Sequence, residues 1–110
     1  MTNGEGKKAL LWAAVTDLDL QIYKATVYKL RWDSPGVGLD MALPALEEAR
    51  LTLEEVGEWP EAISGEVGFF RFALSEYTHS LEIRDHTTAS GQQTALLMAL
   101  AKLRAALRAL

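Results

Sequence analysis

The stretch VGFFRFALSEYTHSLEIRD, residues 67–85, decides how this chain is read. Phe70, Phe72 and Leu74 alternate along it, aromatic residues are dense, and Ser75-Glu76 offers a turn. Residues 67–74 and 77–85 therefore read as the two short strands of a hairpin. Directly after it, Leu96, Leu100, Leu103, Leu107 and Leu110 recur at alternating spacings of four and three, the period of one buried helical face. That helix is expected to start near Ser90, whose hydroxyl caps the first turn while Gln93 reaches back. Lys102, Arg104 and Arg108 near its end complement the helix dipole. From residue 90 to 110 it would run about 31 Å, long enough to cover a hairpin of roughly 30 Å.

Upstream, residues 7–15 read as a short helix with Leu10, Leu11, Ala14 and Val15 on one face. Residues 17–32 are ambiguous. Leu18, Leu20 and Ile22 alternate with Asp17, Asp19 and Gln21, as in a half-buried strand. Leu20, Tyr23, Val27 and Leu30 also fall at helical spacing, and Thr16 with Asp19 resembles a capping pair. The β-branched and aromatic bias favours the strand, with a bulge at Lys24-Ala25. Residues 33–38 are turn-rich. A second helix is expected over 42–56, with Pro44 in its first turn and Gly57 and Pro60 ending it. Leu46, Ala49, Leu53 and Val56 form its stripe.

The order α-β-α-β-β-α predicts one α+β domain over residues 1–110, with residues 1–6 unstructured. Its antiparallel sheet would have about three strands in the order 1-3-2, with the helices on one face. This resembles a ferredoxin-like fold lacking its last strand. Such a sheet leaves the edge along residues 18–32 open, and open edges are usually paired or protected. Thr26, in the middle of that edge, becomes a candidate contact in a homodimer.

There is no cysteine in the 110 residues, so thiolate chemistry, disulfides and cysteine-based metal sites are excluded. Residues 7–15 only loosely mimic a signal peptide, and no segment approaches the roughly 20 apolar residues of a membrane span. A cytoplasmic protein is expected. The net charge of −4 is unevenly spread, with eight acidic groups against Arg50 alone over residues 40–66. That block repels a phosphate backbone locally.

Candidate chemistry is sparse. His79 and His86 would lie on opposite faces of one strand. Asp17 and Asp19 would point the same way from a strand, with carboxylates roughly 7 Å apart, and could hold a divalent cation. Solvated alternation explains them equally simply. Gly36-Val37-Gly38 lacks both the Walker pattern and a third glycine, and Ser64-Gly65 lacks the first glycine of a nucleophile elbow. The hairpin-plus-helix order resembles the end of a double-stranded-RNA-binding domain, but Gln92-Gln93 stand where that family has lysines. Residues 68–72 resemble the aromatic motif of RNA-recognition motifs, but Val67 and Arg71 break it. A ribonuclease H resemblance fails because Thr94, Ala95 and Leu96 replace an expected glutamate.

The expectation is a non-enzymatic protein-binding or regulatory module that acts as a homodimer and needs no cofactor. Glu47, Glu54 and Glu58, with Leu51 among them by helical spacing, are its candidate protein interface. The alternatives are a nucleic-acid accessory protein using Tyr23, Phe69 and Arg71 on an open sheet face, and a metal-dependent hydrolase built on Asp17 and Asp19.

Overall fold

A buried helical stripe runs through residues 67–81 and overrules the hairpin. The computed structural model describes residues 3–29 and 35–110, with side chains over 6–27 and 39–110. Among these residues there are four helices, α1 (Asn3–Lys29), α2 (Pro35–Val56), α3 (Ser64–Glu82) and α4 (His86–Ala109), and a 3-10 turn at Glu61–Ile63. No strand occurs among the described residues. The chain is a helical bundle, and the α+β expectation with its three-stranded 1-3-2 sheet is incorrect.

The reason lies in which side chains find a core. Val67, Phe70, Leu74, Tyr77 and Leu81 are buried, at spacings of three and four, while Phe72 is 63% exposed. A strand would have buried Phe70, Phe72 and Leu74 together. Strand propensity spans only about 1 kcal/mol and depends on context. Burying each large side chain of the stripe contributes about 1.5–3 kcal/mol. The stripe wins.

The same correction applies to residues 17–29, which belong to α1; residues 30–32 of the expected strand lie outside the described residues. The buried row is Leu11, Val15, Leu18, Ile22 and Ala25, whereas Leu20 and Tyr23 are exposed. Helix was the right alternative, but the row of Leu20, Tyr23 and Val27 is its outer face. Helix α1 also starts at Asn3, within the segment 1–6 expected to be unstructured.

The helices form two hairpins. Helix α1 packs along α2 and α3 along α4, while α2 meets α3 and α1 meets α4 more sparsely. Ala45 and Ala49 share a row with Thr52, whose hydroxyl donates to Asp17 on α1. Small side chains there let the two axes approach closely. Across α3 and α4 the contacts run in opposite order, Phe69 with Lys102 and Tyr77 with Gln93, so this pair is antiparallel. One core, from Leu11 to Leu107, joins both hairpins.

The bundle measures 52 × 20 × 18 Å. Its longest helix, of 27 residues, spans about 40 Å. Its surface of 6620 Å² exceeds the roughly 6000 Å² of a compact monomer of this mass.

The helix ends show what local chemistry can and cannot specify. Gly57 ends α2 at φ 73°, its N–H donating to the Glu54 carbonyl at 3.0 Å, as a left-handed terminal glycine should. The start of α2 is earlier than expected. Pro35 takes the first position, residues 35–38 are helical rather than a connection, and Pro44 lies in the interior. Helix α4 is capped by Asp85, not Ser90: the Thr88 N–H donates to Asp85 Oδ1 at 3.2 Å. The Ser90 hydroxyl donates instead to the His86 carbonyl at 3.1 Å. Hydrogen bonds from the Thr88 side chain and backbone hold the Asp85 carboxyl below its ordinary range. At the other end of α4, Leu107 is buried but Leu110 is 48% exposed.

Between α3 and α4 the Asp85 N–H donates to the Ser80 carbonyl at 2.8 Å and the Arg84 N–H to the Leu81 carbonyl at 3.1 Å. This is a Schellman arrangement, with Arg84 at φ 60° in the place that favours glycine. Arg84→Gly is expected to raise stability by about 1 kcal/mol, because an L side chain is strained in that conformation. Urea denaturation checks it: a midpoint that stays level or falls would show that the Arg84 side chain offsets the strain.

Candidate functional site

The acidic helix keeps the face that its sequence implies. Leu46, Ala49 and Leu53 are buried, and Glu47 and Glu54 project from the other side with Leu51 half-buried between them. Arg50 is held between the two glutamates. Its Nε donates to Glu47 Oε2 at 2.9 Å, and its remaining nitrogens reach Glu47 and Glu54. The hydrogen bond from Arg50 keeps the Glu47 carboxyl below its ordinary range, and Glu47 raises Arg50 in turn. Glu58 lies just beyond α2, on the rim of a groove shared with Lys7 and Leu10 of α1.

A second groove of about 500 Å³ runs between α2 and α3 over Leu46, Leu53 and Leu74. Its rim brings together Glu47, Arg50, Glu54, Arg71, His79 and Glu82. Residues singled out for unrelated reasons thus share one place. The Thr78 hydroxyl, also in this groove, donates to the Leu74 carbonyl at 2.8 Å and is committed to its own helix. The arrangement offers alternating charge over an apolar floor, a surface for polar contacts.

The other candidates separate. Two residues apart on a helix means about 200° apart around it. Asp17 accepts from Gln21 at 3.3 Å and from Thr52 on α2, while Asp19 pairs with Arg104 on α4 at 3.2 Å. The two carboxylates address different helices. Among the described residues no group of three or more His, Cys, Asp or Glu could hold a metal ion. His79 lies on the α2–α3 groove, and His86 opens α4 beside Asp85. Tyr23 is exposed on α1. Phe69 faces α4, where Lys102 Nζ stands 5.6 Å from its ring centroid, whereas Arg71 lies on the α2 side. With no sheet, these three do not share a face. Thr26 is no edge residue either: its hydroxyl donates to the Tyr23 carbonyl at 2.9 Å within α1.

Two features escaped the sequence reading. A groove of about 270 Å³ between α3 and α4 is lined by Phe69, Phe72, Ala73, Glu76, Gln92 and Ala95, and Met98, one turn beyond Ala95, is 55% exposed. The second is that the helical row of Leu20, Tyr23 and Val27 on α1 lies outside the core. Both become visible once the three-and-four spacing is imposed, because Phe69, Phe72, Leu20 and Tyr23 then fall off the buried stripes. The signal was present but read at the wrong period.

Comparison with protein-family models, curated proteins and solved structures returns no match. No described helix is long and apolar enough to cross a membrane.

Proposed function

We propose that this chain is a cytoplasmic, non-enzymatic protein-binding module that acts as a homodimer. The observation that carries the reading is the cluster of exposed Phe69, Phe72 and Met98 around the α3–α4 groove. Aromatic and methionine side chains are enriched where proteins meet, and contiguous exposed apolar patches mark interaction sites. Lys102 and Glu76 at the groove give it a polar rim. Glu47 and Glu54 on α2, and Glu58 beyond its end, add acidic groups that can steer a basic partner.

Phe69→Asp/Phe72→Asp tests the reading. The double variant is expected to keep its helical circular dichroism, since both rings are exposed, and to lose capture of partner proteins from a lysate. Reversing Glu47, Glu54 and Glu58 to lysine should weaken the same capture by inverting the field. Unchanged capture by the Phe69/Phe72 variant would defeat the proposed site. Single-stranded nucleic acid bound by the wild type and lost with Phe69 would replace it with the nucleic-acid reading.

A further inference from the structure

Helix α1 is apolar on two opposite faces. One is the core row from Leu11 to Ala25. The other is Ala9, Ala13, Thr16, Leu20, Tyr23 and Val27, again at spacings of four and three and without a charge. Leu20 is 48% and Tyr23 65% exposed, and only Val27 in this row is partly covered. A surface helix normally turns a charged face to water. Here the charges stand to either side of the row, Asp17 and Lys24 on one flank and Lys8 and Asp19 on the other, and on the neighbouring helices.

On one flank, Thr52 of α2 meets Asp17, and Glu48 and Glu55 lie one turn to either side of Thr52 on the same row. On the other flank, Arg104 of α4 meets Asp19, and Arg108 lies one turn further along. Asp17 and Asp19 are only about 3 Å apart along the axis. The acidic and basic flanks therefore stand at the same level of α1.

We infer that the outer row of α1 is the contact for a second copy of this chain, with the two α1 helices packed in parallel about a two-fold axis. The inference rests on the homodimer reading above. Charge chooses both occupant and direction. A two-fold axis parallel to α1 sets the acidic flank of each copy towards the basic flank of the other. An antiparallel pair would set Glu48 and Glu55 towards their own copies, and Arg104 and Arg108 likewise. Complementary fields fix register and suppress the wrong arrangement. The interface is isologous, so Leu20 meets Leu20 and Tyr23 meets Tyr23 of the second copy.

The absence of native cysteine makes the test clean. Single-cysteine variants of the full chain, Tyr23→Cys and Phe72→Cys, are oxidised at micromolar concentration, alongside light scattering of the wild type. A disulfide requires Cα atoms within about 7 Å. In the parallel dimer, Tyr23→Cys links to itself and Phe72→Cys does not. About the middle of the row, an antiparallel pair places the two copies of position 23 roughly 15 Å apart, and links Tyr23→Cys to Ala13→Cys instead. Wild type at twice 12.1 kDa with the self-link at Tyr23 is the expected result. Tyr23→Glu, folded by circular dichroism, should raise the dimer Kd about 30-fold or more, as loss of a central aromatic contact does. A dimer without the Tyr23 self-link, or with the Ala13–Tyr23 link, overturns this arrangement and leaves the homodimer reading standing. A monomer up to millimolar concentration overturns both.

Discussion

Phe70→Ala is expected to cost about 3–5 kcal/mol of folding stability, and Phe72→Ala less than about 1 kcal/mol. Phe70 is fully buried in the core shared by the four helices, whereas Phe72 is mostly exposed on the far side of α3. Removing the buried ring loses its transfer free energy and leaves a cavity that packed neighbours fill only in part. Against a typical net stability of about 5–15 kcal/mol, the loss would bring many domains of this size near unfolding. The pair of variants separates the two readings of residues 67–85. On a strand the two rings share a face and their losses should match. On the helix they should differ severalfold in chemical denaturation. Equal losses would return the hairpin.

Thr26→Pro is expected to destabilise the fold by about 3 kcal/mol or more. Proline in the last turns of α1 removes the donor that pairs with the Ile22 carbonyl and drives its ring against that same group. The alternative reading predicted another outcome. On an open sheet edge, proline at residue 26 would dissociate a dimer and leave the protomer folded. Thermal and urea unfolding of the variant, followed by helical circular dichroism, distinguish the two. An unchanged midpoint would show that position 26 lies outside a packed helix.

These two experiments fall on the segments where sequence and structure part company. Helices α2 and α4 were legible because their signals agree. In α4 the leucine spacing has no competing alternation, and Leu96, Leu100, Leu103 and Leu107 are buried as the period implies. In α2 the stripe of Leu46, Ala49 and Leu53 ends at a glycine that takes positive φ. The N-terminus of α4 was misplaced because Asp85 and Ser90 are both good caps. Only the turn at Arg84 selects Asp85.

The candidate surfaces divide in the same way. The acidic side of α2 could be drawn from helical spacing, and Glu47 and Glu54 stand where that spacing puts them, whereas Glu58 falls beyond the helix end, on the groove shared with α1. The grooves could not, because each is shared by two helices, and pairing α2 with α3 or α3 with α4 is a tertiary fact. Asp17 and Asp19 look like a pair along the chain, yet α2 and α4 draw them apart.

By itself the sequence determined the absence of thiol chemistry, the acidic side of α2 and the helical period of its last segment. Tertiary structure decided residues 17–29 and 67–82. Alternation and three-and-four spacing coexist in both, so local pattern permits strand and helix alike. The choice falls to whichever period lets the most apolar surface leave water at once. Here four helical stripes close one core, and Phe72, Leu20 and Tyr23 remain outside it.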